Sequence, residues 1–204
     1  MKKLYLTSSK VDGLLDLLLD SSERTNLAFI PTAGDPYVDH SFVDEDRQKF
    51  EALGFKIQDV DLKNTHADLL REKLKQIDVV YVAGGNTFYL LEKVIESGFD
   101  VVIKELVKRG VIYAGGSAGA VLAGPTIEPV DVFDDPKAAP NLKSYAGLGL
   151  IDCIVLPHYH SDAKYAGLHE KVIKKWSKKG YTVIPITNDQ AIRVVDDAYK
   201  IIDL

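Results

Sequence analysis

The 204-residue chain is predicted to fold as an α/β protein: a doubly wound, mostly parallel sheet with helices on both faces and a C-terminal hairpin. Three observations predict it. Short apolar, β-branched runs alternate with segments of helical periodicity, as in sheets whose parallel strands are joined by helices. Glycine- or histidine-bearing turns close several of those runs at their carboxyl ends, where such sheets bind ligands. Two further runs near the C-terminus, split by Asp196-Asp197, read as a hairpin.

The elements follow in order. Lys3–Thr7 is the first strand, and the leucine-rich segment Gly13–Asp20 the first helix. Leu27–Pro31 is the second strand and Phe42–Leu53 the second helix. Phe55–Val60 precedes a helix over His66–Gln76, in which Leu69, Leu70, Leu74 and Ile77 fall at helical spacing. Val79–Ala83 leads through Gly84-Gly85 into Thr87–Ser97, where Leu90, Leu91, Val94 and Ile95 do the same. Val101–Lys108 is a helix and Val111–Ala114 a strand. Gly124–Gly149 has little periodicity and four prolines, so it reads as a long ordered loop of the kind that tends to be functional. Ile154–Leu156 and Val183–Ile186 are strands. The lysines at 171, 174, 175, 178 and 179 mark the solvated face of a helix around Trp176. Ala191–Val195 and Tyr199–Ile202 form the hairpin. The length suits one domain over residues 1–204.

Composition narrows the function. Apolar residues make up 46% and charged residues 27% of the chain, ordinary for a globular protein. A net charge of −5 with scattered lysines argues against nucleic acid as a partner. No stretch approaches a signal-peptide core or a membrane span, so the cytoplasm is the expected compartment. The lone Cys153 sits in an apolar run and reads as a buried strand residue. Apolar helix faces leave monomer and homodimer equally open.

The most informative stretch is Val111-Ile-Tyr-Ala-Gly-Gly-Ser-Ala-Gly-Ala120. A Gly-x-Ser-x-Gly turn between a strand and a small-residue helix start is the nucleophile elbow of hydrolases. Its glycines permit close approach to a neighbouring strand and an unusual backbone conformation. Ser117 would then stand exposed as nucleophile, with the Ala118 N–H at a helix N-terminus as an oxyanion donor. A glycine-rich turn that merely packs or binds phosphate is the alternative. A serine nucleophile needs a base, and His158, just past the strand Ile154–Leu156, is the leading one, with His160 as second choice or pocket residue. The orienting acid is open among Glu128, Asp131, Asp134 and Asp135. Gly85 offers a second oxyanion N–H, Asn86 a substrate contact and Thr87 a helix cap. His158, His160 and Asp162 form a conceivable but incomplete metal set, so no metal is expected. Neither glycine loop carries a dinucleotide or P-loop signature, which leaves acyl transfer without a cofactor.

Val82-Ala-Gly-Gly-Asn-Thr-Phe-Tyr-Leu-Leu91, Gly115-Gly-Ser-Ala-Gly-Ala120, Gly124-Pro-Thr-Ile127 and Leu156-Pro-His-Tyr159 resemble, in order and spacing, the peptidase E (aspartyl dipeptidase) and cyanophycinase family. The resemblance covers most of the chain. It implies a flavodoxin-like sheet related to class I glutamine amidotransferases, and a serine peptidase acting on short peptides through an acyl-enzyme. It also implies Ser117 as nucleophile, His158 as base, Gly85 and Ala118 as oxyanion donors, and Asp131 as the nearest match for the acid. Relatives bind the substrate aspartate with an arginine downstream of the histidine, but none of the five arginines here lies between His158 and Gly180. Lys171, Lys164 or His169 is left to replace it. Strict aspartyl specificity is therefore not expected. The alternatives are a hydrolase of β-aspartyl or cyanophycin-type peptides, or a silent binding protein on the same fold.

Overall fold

The computed structural model describes residues 1–14, 26–161, 165 and 167–204. Among them, seven strands form the main sheet: β1 (Lys3–Thr7), β2 (Asn26–Ile30), β3 (Lys56–Asp59), β4 (Val79–Val82), β5 (Ile112–Gly116), β8 (Gln190–Val195) and β9 (Ala198–Asp203). Their spatial order is β3-β2-β4-β5-β1-β8-β9. The first five run parallel, and the hairpin β8–β9 joins antiparallel along β1. The helices are α1 (Ser41–Ala52), α2 (Ala67–Lys73), α3 (Thr87–Ser97), α4 (Phe99–Lys108), α5 (Ala118–Leu122) and α6 (Leu168–Lys178). The helix expected over Gly13–Asp20 lies mostly outside the described residues.

The strand alternation explains why both faces are covered. Leu4, Leu6, Ala28, Ile30, Val80, Val82 and Tyr113 point into one apolar cluster. Their neighbours Tyr5, Leu27, Phe29, Val79, Tyr81, Ile112 and Ala114 point into the other, against Val43 and Phe50 of α1. A strand buried on both faces has no polar face to alternate with, hence the continuous apolar runs. On α6, Val172 and Trp176 are buried, while Lys179 stands over the Trp176 ring at 3.8 Å. Gly98 ends α3 and opens α4, and its φ of 70° is the left-handed turn between them.

Two expectations need correction. Ile154–Leu156 and Val183–Pro185 do form strands, β6 and β7, but they pair in parallel with each other as a separate ribbon rather than extending the main sheet. Leu69 and Ile95, counted on apolar helix faces by their spacing, are exposed, whereas Leu70, Leu74, Leu90, Leu91 and Val94 are buried. A stripe of adjacent leucines spans more than one face, and tertiary packing chooses which half is covered.

The turn between β5 and α5 is among the tightest places in the fold. A side chain on Gly119 would lie 2.2 Å from the Val82 carbonyl oxygen, and one on Gly115 would lie 2.5 Å from the Gly119 backbone. Both obstacles are main chain, one of the central strand β4 and one of α5, and cannot swing aside. Gly119→Ala is therefore expected to lower stability by roughly 3 kcal/mol or more, read from the urea midpoint at unchanged slope. A loss under ~1 kcal/mol would mean that the turn is looser than described.

Candidate active site

Every piece of the site comes from a strand's carboxyl end, the end at which parallel α/β sheets gather their ligands. Ser8 follows β1, Gly84 and Gly85 follow β4, Ser117 follows β5, His158 follows β6, and Asn188 follows β7. Ser117 has φ 46° and ψ −105°, a conformation that non-glycine residues rarely adopt. The sequence suggested that an elbow glycine would take the unusual conformation. Instead Gly115 and Gly119 supply closeness, and the serine itself bears the positive φ. Its N–H is held by the Thr7 carbonyl at 2.9 Å, while its carbonyl accepts from Ala120 and Val121. The chain on both sides is thus pinned, and the side chain is thrust outward.

Ser117 Oγ lies 2.8 Å from His158 Nε2, and His158 Nδ1 lies 2.8 Å from Asn188 Oδ1. The amide oxygen is an acceptor only, so Nδ1 carries the proton and Nε2 presents a lone pair to the serine hydroxyl. Ser8 fits this orientation of the amide. Its hydroxyl oxygen accepts the His158 N–H at 2.8 Å, leaving its own proton to donate to Asn188 Oδ1 at 3.0 Å. The same Oγ lies 3.3 Å from Nδ1. His158 itself is held at φ 60°, so the ring is aimed by a fixed backbone as well as by its partners.

The acid expected from sequence is not there. Asp131 is exposed on the long loop, and among the described residues the partners of His158 Nδ1 are Asn188 and Ser8. Asp134 instead accepts from the Thr87 N–H and hydroxyl at 2.9 and 2.5 Å, Asp135 accepts from the Lys137 N–H, and Glu128 lies beside Lys179. Sequence reasoning missed Asn188 because it sought a carboxylate upstream of the histidine. The available signal was a polar turn, Thr187-Asn-Asp189, at the carboxyl end of a predicted strand.

The other expected residues divide. Gly85 has φ 138°, and a side chain there would lie 2.1 Å from the Ala33 carbonyl oxygen, so only glycine fits this loop beside the serine. The Ala118 N–H is the first amide of α5 and has no acceptor within that helix. Asn86 and Thr87 exchange their expected roles. Asn86 is buried, caps α3 by accepting from Tyr89, and donates to the Asp135 carbonyl, while Thr87 holds Asp134. His160 is exposed near Glu170 at 3.7 Å, and Lys171 is exposed on α6; neither lines the clefts at Ser117. Lys164 lies outside the described residues.

Two clefts meet at Ser117 and His158. One, of about 250 Å³, is walled mostly by apolar and aromatic side chains and reaches Asp134. The other, of about 240 Å³, is lined by Ser8, Ser9, Glu45, Asp46 and Lys49. Cys153 is remote in character: buried, with its thiol pushed up to about 12 by burial. No described helix is long and apolar enough to cross a membrane.

The peptidase family S51 model matches residues 5–202. The chain belongs to peptidase family S51. An uncharacterized peptidase of Listeria monocytogenes is 34% identical over 194 residues, covering 94% of each chain. Peptidase E of Salmonella arizonae is 35% identical over 166 residues, covering 78% of this chain and 69% of its own. A crystal structure assigned to peptidase E from Listeria monocytogenes superposes with a TM-score of 0.89 at 32% identity, covering 100% of this chain and 99% of that one. This S51 chain is accordingly a serine-type peptidase on the family's mostly parallel sheet.

A half-buried carboxylate lies beside the elbow. Tyr81 donates its hydroxyl proton to Asp46, and a side chain on Gly116 would lie 2.3 Å from that hydroxyl. Burial pushes Asp46 up from 3.8 to about 6, against the pull of the Tyr81 hydrogen bond. A raised folded-state pKa stabilises the fold below the unfolded value and loses that contribution as pH rises through the folded value. Stability is therefore expected to fall by on the order of 2 kcal/mol between pH 4 and 7 relative to Asp46→Asn, measured by denaturant melts of both proteins. Parallel pH profiles would contradict the assignment.

Proposed function

We propose that the protein hydrolyses short peptides through a Ser117-His158-Asn188 relay and an acyl-enzyme, with no cofactor in the reaction. The observation that carries this reading is the unbroken chain of contacts from Ser117 Oγ through both imidazole nitrogens to Asn188.

In this mechanism His158 Nε2 takes the Ser117 proton as Oγ attacks the scissile carbonyl. The developing oxyanion is held between the N–H groups of Gly85 and Ala118, where fixed dipoles need no reorganisation. His158 then protonates the leaving amine, and water, activated by the same imidazole, releases the acyl group. Asn188 fixes the tautomer and the ring plane, as an asparagine does in cysteine peptidases of the Cys-His-Asn type. It brings no charge to the imidazolium; Asp134, on the wall of the same cleft as His158, supplies the negative field that the amide lacks. Clefts of this size suit one or two residues on each side of the scissile bond, hence a short substrate. An aspartyl preference finds no support in the clefts, whose described lining has no arginine.

Ser117→Ala is expected to abolish serine-dependent turnover of a dipeptide panel, and the wild type to be labelled at Ser117 by a phosphonate. Asn188→Ala should lower kcat by about 10²–10⁴ through loss of the tautomer. Ser8→Ala should cost about tenfold, the value of one hydrogen bond, largely restored by Ser8→Thr. Undiminished hydrolysis by Ser117→Ala would reject the nucleophile.

A further inference from the structure

The larger cleft is built for a different first residue than aspartate. Tyr37, Phe42, Val130, Phe133, Leu156 and Tyr165 supply much of its wall. Phe133 stacks on the buried His169 ring, with centroids 4.8 Å apart, and meets the Tyr165 ring edge-on at 5.3 Å. His169 adds no lasting charge, since burial holds it below its ordinary pKa. Among the described lining residues there is no lysine or arginine. A carboxylate placed here would meet no described lysine or arginine and would face Asp134, a like charge.

Asp134 is the one acidic group among the described lining residues. Both of its described hydrogen bonds, from the Thr87 N–H and hydroxyl, go to Oδ2. Among the described residues its second oxygen, Oδ1, accepts none, and no described lysine or arginine forms an ion pair with it. An anion held by a helix N-terminus, with one oxygen unspent in an apolar cleft beside the nucleophile, is complementary to a small cation. In a short peptide the cation next to the scissile bond on the acyl side is the α-ammonium.

We propose that this cleft is the subsite for the substrate's N-terminal residue, with Asp134 holding its free α-ammonium and the aromatic wall taking an uncharged, apolar side chain. The inference rests on the peptidase reading for the position of the scissile bond. It makes the protein an exopeptidase selective for apolar and aromatic first residues.

The test separates binding from turnover. Binding of Phe-Leu, Asp-Leu and N-acetyl-Phe-Leu to Ser117→Ala is measured by calorimetry at neutral pH. Phe-Leu is expected to bind at least about tenfold tighter than Asp-Leu, the scale on which an apolar pocket discriminates. Acetylation, which removes the cation, should weaken it by at least about tenfold, a charge-assisted hydrogen bond being worth more than a neutral one. Adding Asp134→Asn should bring the ratio of free to acetylated peptide close to one. Should that variant not fold, the comparison of free with acetylated peptide in Ser117→Ala still decides. Tighter Asp-Leu, indifference to acetylation, or no binding of Phe-Leu at millimolar concentration would overturn the subsite. Wild-type turnover is scored beside it. Selective binding without hydrolysis would remove the peptidase mechanism and keep the subsite, whereas hydrolysis favouring Asp-Leu would do the reverse.

Discussion

The close crossing of backbone between β4, β5 and α5 is the constraint on which the rest depends. Gly119 lets the turn lie against the Val82 carbonyl, and Gly115 lets the start of α5 fold close over β5, with no atom to spare at either. That contact, together with the hydrogen bond from the Ser117 N–H to Thr7, forces the serine into φ 46°. Strain of this kind costs of order 1–3 kcal/mol and persists only where the surroundings over-determine it. Here the surroundings are the central strands of a sheet buried on both faces. The strain is spent on position: the hydroxyl arrives 2.8 Å from His158 without needing to move.

The second level of the arrangement is polar and equally determined. Ser8, His158 and Asn188 come from three separate strand ends, and each hydrogen bond among them fixes the next. The Ser8 hydroxyl accepts from the His158 main chain and donates to Asn188, matching the amide orientation that leaves the Nε2 lone pair facing the serine. A neutral orienting group in place of a carboxylate makes this second anchor more important, because an amide can turn over and a carboxylate cannot.

Much of this was legible in the sequence. The strands of the main sheet were readable because residues such as Val79–Val82 are apolar on both faces, and the elbow because its glycines and serine leave few alternatives. His158 was legible from its place just past the strand Ile154–Leu156, and the family resemblance pointed to it as well. What remained hidden depends on long-range pairing. Nothing local in Ile154–Leu156 or Val183–Pro185 says whether they join the main sheet or each other. Asn188 is 30 residues beyond His158 and is not an acid, so a search for a carboxylate in the loop after the serine passed it by. Asp134 lay among four carboxylates whose spacing is nearly equivalent. Only the fold shows that it is turned toward Thr87 and the cleft while Asp131 faces outward.

The central claim is that Ser117 attacks a carbonyl whose oxygen is received by two main-chain N–H groups. A crystal structure of the protein after reaction with a peptidyl phosphonate tests it most directly. The account predicts phosphorus bonded to Ser117 Oγ and one phosphonyl oxygen within hydrogen-bonding distance, about 2.7–3.1 Å, of both the Gly85 and Ala118 nitrogens. Attachment at another residue, or a phosphonyl oxygen turned away from both, would contradict it.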